Sequence, residues 1–109
     1  MKLTIMDRIM IYELLPAKGD YKTLKAVKEF RDKELRFTRE ETEMYDISQE
    51  VVGDGHVQIR FNQEAASSYE RDIKIPLNVK AAIIERLKEL DKTKNLREEQ
   101  LNLYEKFIS

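Results

Sequence analysis

Between Leu3 and Leu15 the chain sets apolar side chains at Leu3, Ile5, Met6, Ile9, Met10, Ile11, Leu14 and Leu15. Thr4, with Asp7 three residues on, forms a capping box in its shorter-acid form, so the segment starts as a helix. At about 100° per residue those apolar positions leave few directions around the axis free. A helix apolar on more than one side has to be covered on more than one side. It therefore belongs at the centre of whatever the rest of the chain builds. A chain of 109 residues holds one core and not two, so a single domain, 1–109, is expected to close around this helix.

The remaining elements follow from their own signals. Pro16 and Gly19 end the first helix, and Asp20 is a good N-cap for a second that runs to about Leu35. Val27 and Phe30 lie on one face of it, with Lys22, Lys25, Glu29, Lys33 and Arg36 opposite. Thr38 and Glu41 make a full capping box for a short third helix. The period then changes. Val57, Ile59 and Phe61 alternate with His56, Gln58 and Arg60, as in a strand with one buried face. A three-residue GDG loop puts Val51 opposite Val57, Gln49 opposite Ile59 and Ile47 opposite Phe61, with Gly55 left-handed. Arg71, Ile73 and Ile75 mark a further strand, closed by Pro76. Asn78 caps a fourth helix through Val79, Ile83, Leu87 and Leu90, and Leu101 to Ile108 supply a fifth. The expected fold is α+β: three N-terminal helices, a three-stranded antiparallel sheet (a hairpin at 47–61 and a strand at 69–75), and a C-terminal antiparallel helical hairpin. Three helices followed by a hairpin is also the order of a winged helix.

Composition narrows the chemistry. There is no cysteine, which removes disulfides, thiolate ligands and a thiol nucleophile together. The apolar front carries Asp7, Arg8 and Glu13 and lacks both a basic leader and a small-residue cleavage site, so it reads as neither signal peptide nor membrane span. A cytoplasmic location is the expectation. The net charge of -1 gives no overall attraction to nucleic acid or anionic lipid, but the charges are unevenly placed. From Lys18 to Arg39 there are eight basic and four acidic residues, and from Glu40 to Asp54 six acidic and no basic ones.

Each chemically suggestive group has a plain structural explanation. His56, the only histidine, lies on the polar side of a hairpin with no HExxH or Cys/His set around it, and is expected to be merely exposed. Glu40, Glu43 and Asp46 resemble a carboxylate cluster, but acids in a helix's first turn already complement its dipole. Gly53 and Gly55 lack the Lys-Ser/Thr of a phosphate loop and precede a strand, so they are turn glycines. No catalytic, cofactor or metal residue is expected, and no small-molecule ligand is evident. In a winged helix the third helix would carry the recognition side chains, and here it offers Glu40, Glu41 and Glu43 to a polyanion. Lys22, Lys25, Lys33 and Arg36 are the residues left for nucleic-acid contact.

On the last helix Leu101, Tyr104 and Ile108 make one stripe, and Leu103 and Phe107 make a second. The first is expected to dock on the core. The second is expected to meet a protein partner, in particular a second copy of the chain in a symmetric dimer; the competing arrangement buries both stripes within one chain.

LTIMDRIMIYELLP at the front and LYEKF at the back resemble small phage and prophage proteins that share no assigned activity. The resemblance implies a phage or mobile-element accessory role, and no site. The expected function is a non-enzymatic protein-interaction or accessory domain that self-associates, with a winged-helix-like DNA-binding regulator as the alternative.

Overall fold

The computed structural model describes residues 1–53 and 56–108, without the side chains of Val52 and His56. The expectations for Gly55 and for the His56 side chain therefore lie outside the described residues. The chain order is β1 (Lys2–Leu3), α1 (Ile5–Leu14), α2 (Tyr21–Glu29), a π-helical turn (Phe30–Glu34), α3 (Arg39–Met44), β2 (Ser48–Val52), β3 (His56–Arg60), β4 (Arg71–Asp72), α4 (Leu77–Lys92), a 3-10 turn (Glu98–Gln100) and α5 (Leu101–Ile108). The mixed α+β class is as expected, and so are both capping boxes. Thr4 Oγ1 accepts from the Asp7 amide while the Asp7 carboxylate accepts from the Thr4 amide, and Thr38 and Glu41 repeat the exchange.

α1 is the central element. Ile5, Ile9, Met10, Ile11 and Leu14 are buried, and so are two of its three charged residues, Asp7 and Arg8. α4 contributes Val79, Ile83 and Leu87 to the same core, α2 contributes Val27, and the π-helical turn Phe30. The widened turn has a packing reason. In an α-helix residue i+5 lies about 140° round the axis from residue i, whereas here Leu35 N–H donates to the Phe30 carbonyl and both side chains are buried.

The three-stranded sheet is corrected to two separate two-stranded antiparallel sheets. β2 and β3 form the hairpin in the expected register, with Val51 opposite Val57 and Gln49 opposite Ile59. The strand expected over 69–75 is two residues long and pairs instead with β1, Lys2 opposite Asp72 and Leu3 opposite Arg71. The Ile73 amide extends this pairing to the Met1 carbonyl. The Arg71 side chain donates to the Glu34 carbonyl and the Glu41 carboxylate. Lys2–Leu3 is too short for any alternation to announce it.

Two helices end in Schellman motifs without glycine. After α3, Asp46 has φ 53° and the Ile47 amide donates to the Thr42 carbonyl. After α4, Lys94 has φ 61° and the Asn95 amide donates to the Leu90 carbonyl. Aspartate tolerates the left-handed region, whereas lysine gains nothing local there. Lys94→Gly should stabilise the fold by about 0.5–1 kcal/mol, net of the freedom glycine adds to the unfolded chain. Urea melts check this, and a destabilised variant would contradict it.

Candidate binding groove

The hairpin is anchored at its base. Ile47 and Tyr45 are buried, and the Asn62 amide donates to the Tyr45 carbonyl at 2.8 Å. Further along the same face, Val51 is 74% and Val57 56% exposed. A period-2 strand is expected to bury its apolar face, and here only half of that face is covered.

Between the hairpin and α1 lies a groove of about 770 Å³. Met6, Ile9 and Met10 of α1 line one side, and Val57, Gln58 and Ile59 of β3 line the other. At its rim Arg97 bonds Glu13 in an ion pair. Arg97 also reaches the Met10 sulfur at 3.6 Å, which ties the segment before α5 to α1. Gln49, which pairs with Ile59 across the hairpin, also borders the groove, so the groove runs over the face that carries Val57 and Ile59.

A second feature, buried and polar, sits where α1 meets the end of the π-helical turn and the start of α3. The Arg8 guanidinium, fully buried, grips the Glu41 carboxylate with Nη1–Oε2 at 2.7 Å and Nη2–Oε1 at 3.2 Å. Its Nη2 also donates to the carbonyls of Leu35 and Arg36, which the end of the helix leaves without intrahelical donors. Its Cζ lies over the Phe37 ring, 4.4 Å from the ring centre. Glu41 further accepts from Tyr69 Oη at 2.5 Å, from Arg71 Nη1 at 3.1 Å and from the Thr38 amide at 2.8 Å. Burial on its own would raise the Glu41 carboxyl, but the bonds from Arg8, the Thr38 amide and Tyr69 outweigh it and hold the group at about 2. Burial and the Glu41 carboxylate together push the Tyr69 hydroxyl up to about 12. Five donors on one carboxylate with so low a pKa leave it no capacity to take a proton at neutral pH. Its task is to hold three elements together. Among the described residues, Arg8 Nε is the buried side-chain polar atom with no partner.

Asp7, on the neighbouring position of α1, is also buried. It accepts from Lys106 Nζ at 2.7 Å and from Asn102 Nδ2 at 3.0 Å, both on α5. For Lys106, burial works against the charged form, but the carboxylates of Asp7 and Glu70 prevail and raise its pKa.

These contacts relocate the residues singled out in the sequence. Leu103 and Phe107 are buried in the core of the single chain, at 0% and 7% exposure, whereas Leu101 is 49% exposed. The partner surface expected at Leu103 and Phe107 is therefore not there. Asn102 and Lys106 reach Asp7, and that rotation carries the adjacent Leu103 and Phe107 inward. Lys22, Lys25, Lys33 and Arg36 are exposed. Lys33 and Arg36 border a shallow hollow with Arg39, Arg71 and the single acid Asp32, while Lys22 and Lys25 lie outside it. Of the acidic block, Glu41 is turned inward, and only Glu40 and Glu43 of α3 face outward. Among the described residues no group of His, Asp or Glu side chains, Glu40, Glu43 and Asp46 included, is placed to hold a metal ion. Among the described residues no helix is long and apolar enough to cross a membrane.

No family model, no curated protein and no solved structure matches this chain.

Sequence reading missed the groove and the Arg8–Glu41 cluster. Arg8 did carry a signal, since a cation inside a run apolar on nearly every side has no polar face to occupy and needs a buried partner. The groove had none, because it depends on how far the hairpin stands from α1.

Proposed function

We propose that this chain is a non-enzymatic protein-interaction domain, an accessory protein of phage or mobile-element type, that takes its partner in the groove between α1 and the β2–β3 hairpin. The observation that carries this reading is the half-covered hairpin. Val51 and Val57 face each other, exposed, beside a groove lined by Met6, Ile9, Val57 and Ile59. Apolar surface gathered around a concave site and rimmed by an ion pair is the composition of a protein-binding patch. A second copy of the chain is among the partners it suits. A photo-crosslinking amino acid at the exposed Gln49 in the groove should yield discrete protein adducts in cells, and the same probe at Lys88, on the exposed side of α4, should not. Equal adduct patterns from both positions, or none from Gln49, would end the reading.

The second reading, a winged-helix-like regulator, is favoured by one observation. Glu41 is withdrawn from the surface, and Lys33, Arg36, Arg39 and Arg71 share one hollow with a single acid. On the first reading any duplex DNA binding through Lys22, Lys25, Lys33 and Arg36 is weak, independent of sequence and steeply dependent on salt. A sequence-specific site bound at nanomolar strength in physiological salt would put the regulator first.

A further inference from the structure

α2 and the π-helical turn carry cations along one side. Tyr21, Lys25 and Lys28 follow one another at helical spacings of four and three. Lys33 comes five residues after Lys28, which in an unbroken α-helix would put it about 140° further round the axis. The widened turn takes up the extra residue, and Lys33 borders the same hollow as Tyr21, Lys25 and Lys28. Lys33 and Arg36 then border the next hollow with Arg39 and Arg71. Because the two hollows share Asp32 and Lys33, they make one track, about 20 Å long from Tyr21 to Arg36 at the rise of a helix.

The charges on this track are unbalanced. Among the described residues Lys25, Lys28, Lys33 and Arg36 enter no ion pair, whereas Arg39 is bonded to Glu43 and Arg71 to Glu41. Of the two acids that border the track, Asp32 accepts from Arg31 at 3.5 Å, and only Glu29 stands against the four cations. Cations gathered along one side repel one another, and an anion laid along them relieves the repulsion. At the head of the track Tyr21 is 79% exposed, with the Lys25 ammonium 6.0 Å from the centre of its ring. A phosphodiester chain supplies anions at intervals along such a track, and an exposed ring beside it is a platform for a base. An acidic peptide or a lipid headgroup uses the cations and leaves the ring idle. So does a duplex, whose bases are already stacked on one another. We infer that this track binds single-stranded nucleic acid, with phosphates on Lys25, Lys28, Lys33 and Arg36 and a base stacked on Tyr21. It shares no residue with the groove beside the hairpin and does not rest on what that groove takes.

Fluorescence anisotropy of a labelled oligo-dT of about twelve nucleotides, titrated with the full chain, tests the inference. Log affinity should fall against log salt with a slope of about −3, from about 0.7 for each of the four cations. Tyr21→Ala should weaken binding about tenfold through the lost stacking of one base, and Lys28→Glu by at least as much. Lys88→Glu makes the same change of charge away from both hollows and should alter binding by less than about twofold in physiological salt. All three positions are exposed, so the variants keep the fold, which circular dichroism checks. A single strand left unbound at high micromolar protein in low salt overturns the inference. So does a Tyr21→Ala variant that binds like the wild type, or a duplex of the same length bound as tightly as the single strand. Binding to phosphatidylserine vesicles that the oligonucleotide does not displace would put lipid on the track in its place.

Discussion

Replacing Glu41 with alanine should cost the domain about 3–5 kcal/mol, because it leaves the Arg8 guanidinium buried with its counter-charge gone. Arg8 is fully buried and Glu41 5% exposed, so water cannot take the place of the carboxylate without opening the junction. The loss extends beyond the pair. Tyr69 and Arg71 both donate to Glu41, and its carboxylate is half of the capping box that starts α3. A domain of this size has only about 5–15 kcal/mol of stability in total, so Glu41→Ala should be close to unfolded at physiological temperature. Guanidinium melts of wild type and variant measure the difference, and a cost below about 1 kcal/mol would show that the junction relaxes to admit water.

The same residue sets the acid limb. In the fold its carboxyl is held at about 2, well under its ordinary value of 4.5. A carboxyl depressed in the folded state adds stability that is fully present above the unfolded value and is lost as pH falls from about 4.5 towards 2. Wild-type stability should therefore drop across that window. Glu41→Gln cannot titrate, so it should keep only the slope contributed by the other carboxyl groups. Equal slopes for the two proteins would mean that Glu41 titrates normally.

Phe107→Glu should yield an unfolded chain rather than a folded monomer, and Leu103→Ala should lose about 2–5 kcal/mol, as fully buried leucines do when truncated. Both follow from the placement of α5. Leu103 and Phe107 pack in the same core as α1 and α4, and a glutamate at Phe107 would bring a charge with no partner into it. Leu101→Glu, at the half-exposed position two residues before Leu103, should change stability by no more than about 0.5 kcal/mol. Circular dichroism and sedimentation of the three variants decide the matter. A folded, soluble Phe107→Glu would show that α5 detaches without loss of the rest.

Local chemistry was legible. The capping boxes at Thr4 and Thr38, the five helices and the register of Val51 with Val57 all depend on residues within a few positions of one another, where sequence spacing is spatial spacing. α1 was legible as the central helix because its apolar residues leave it no face for water. Where the reading failed, the deciding partner was far along the chain. The β4 segment pairs with Lys2–Leu3 rather than with the hairpin, and no periodicity in two residues could disclose that. The two stripes of α5 look alike on a helical wheel, since hydrophobicity alone does not rank them.

Tertiary structure broke that tie through polar contacts. Asp7, committed to the start of α1 by its capping box, is buried and accepts from Asn102 and Lys106. Those bonds turn Leu103 and Phe107 inward and leave Leu101 half exposed. The groove was decided in the same way, by the distance at which the hairpin stands from α1 once Tyr45 and Ile47 are seated. Sequence by itself determined the five helices, the β2–β3 hairpin and which helix is central, because those depend on local propensity and total apolar content. Which side of each element faces the core came only with the fold, because a buried charge must find its partner across the chain before the apolar faces can close around it.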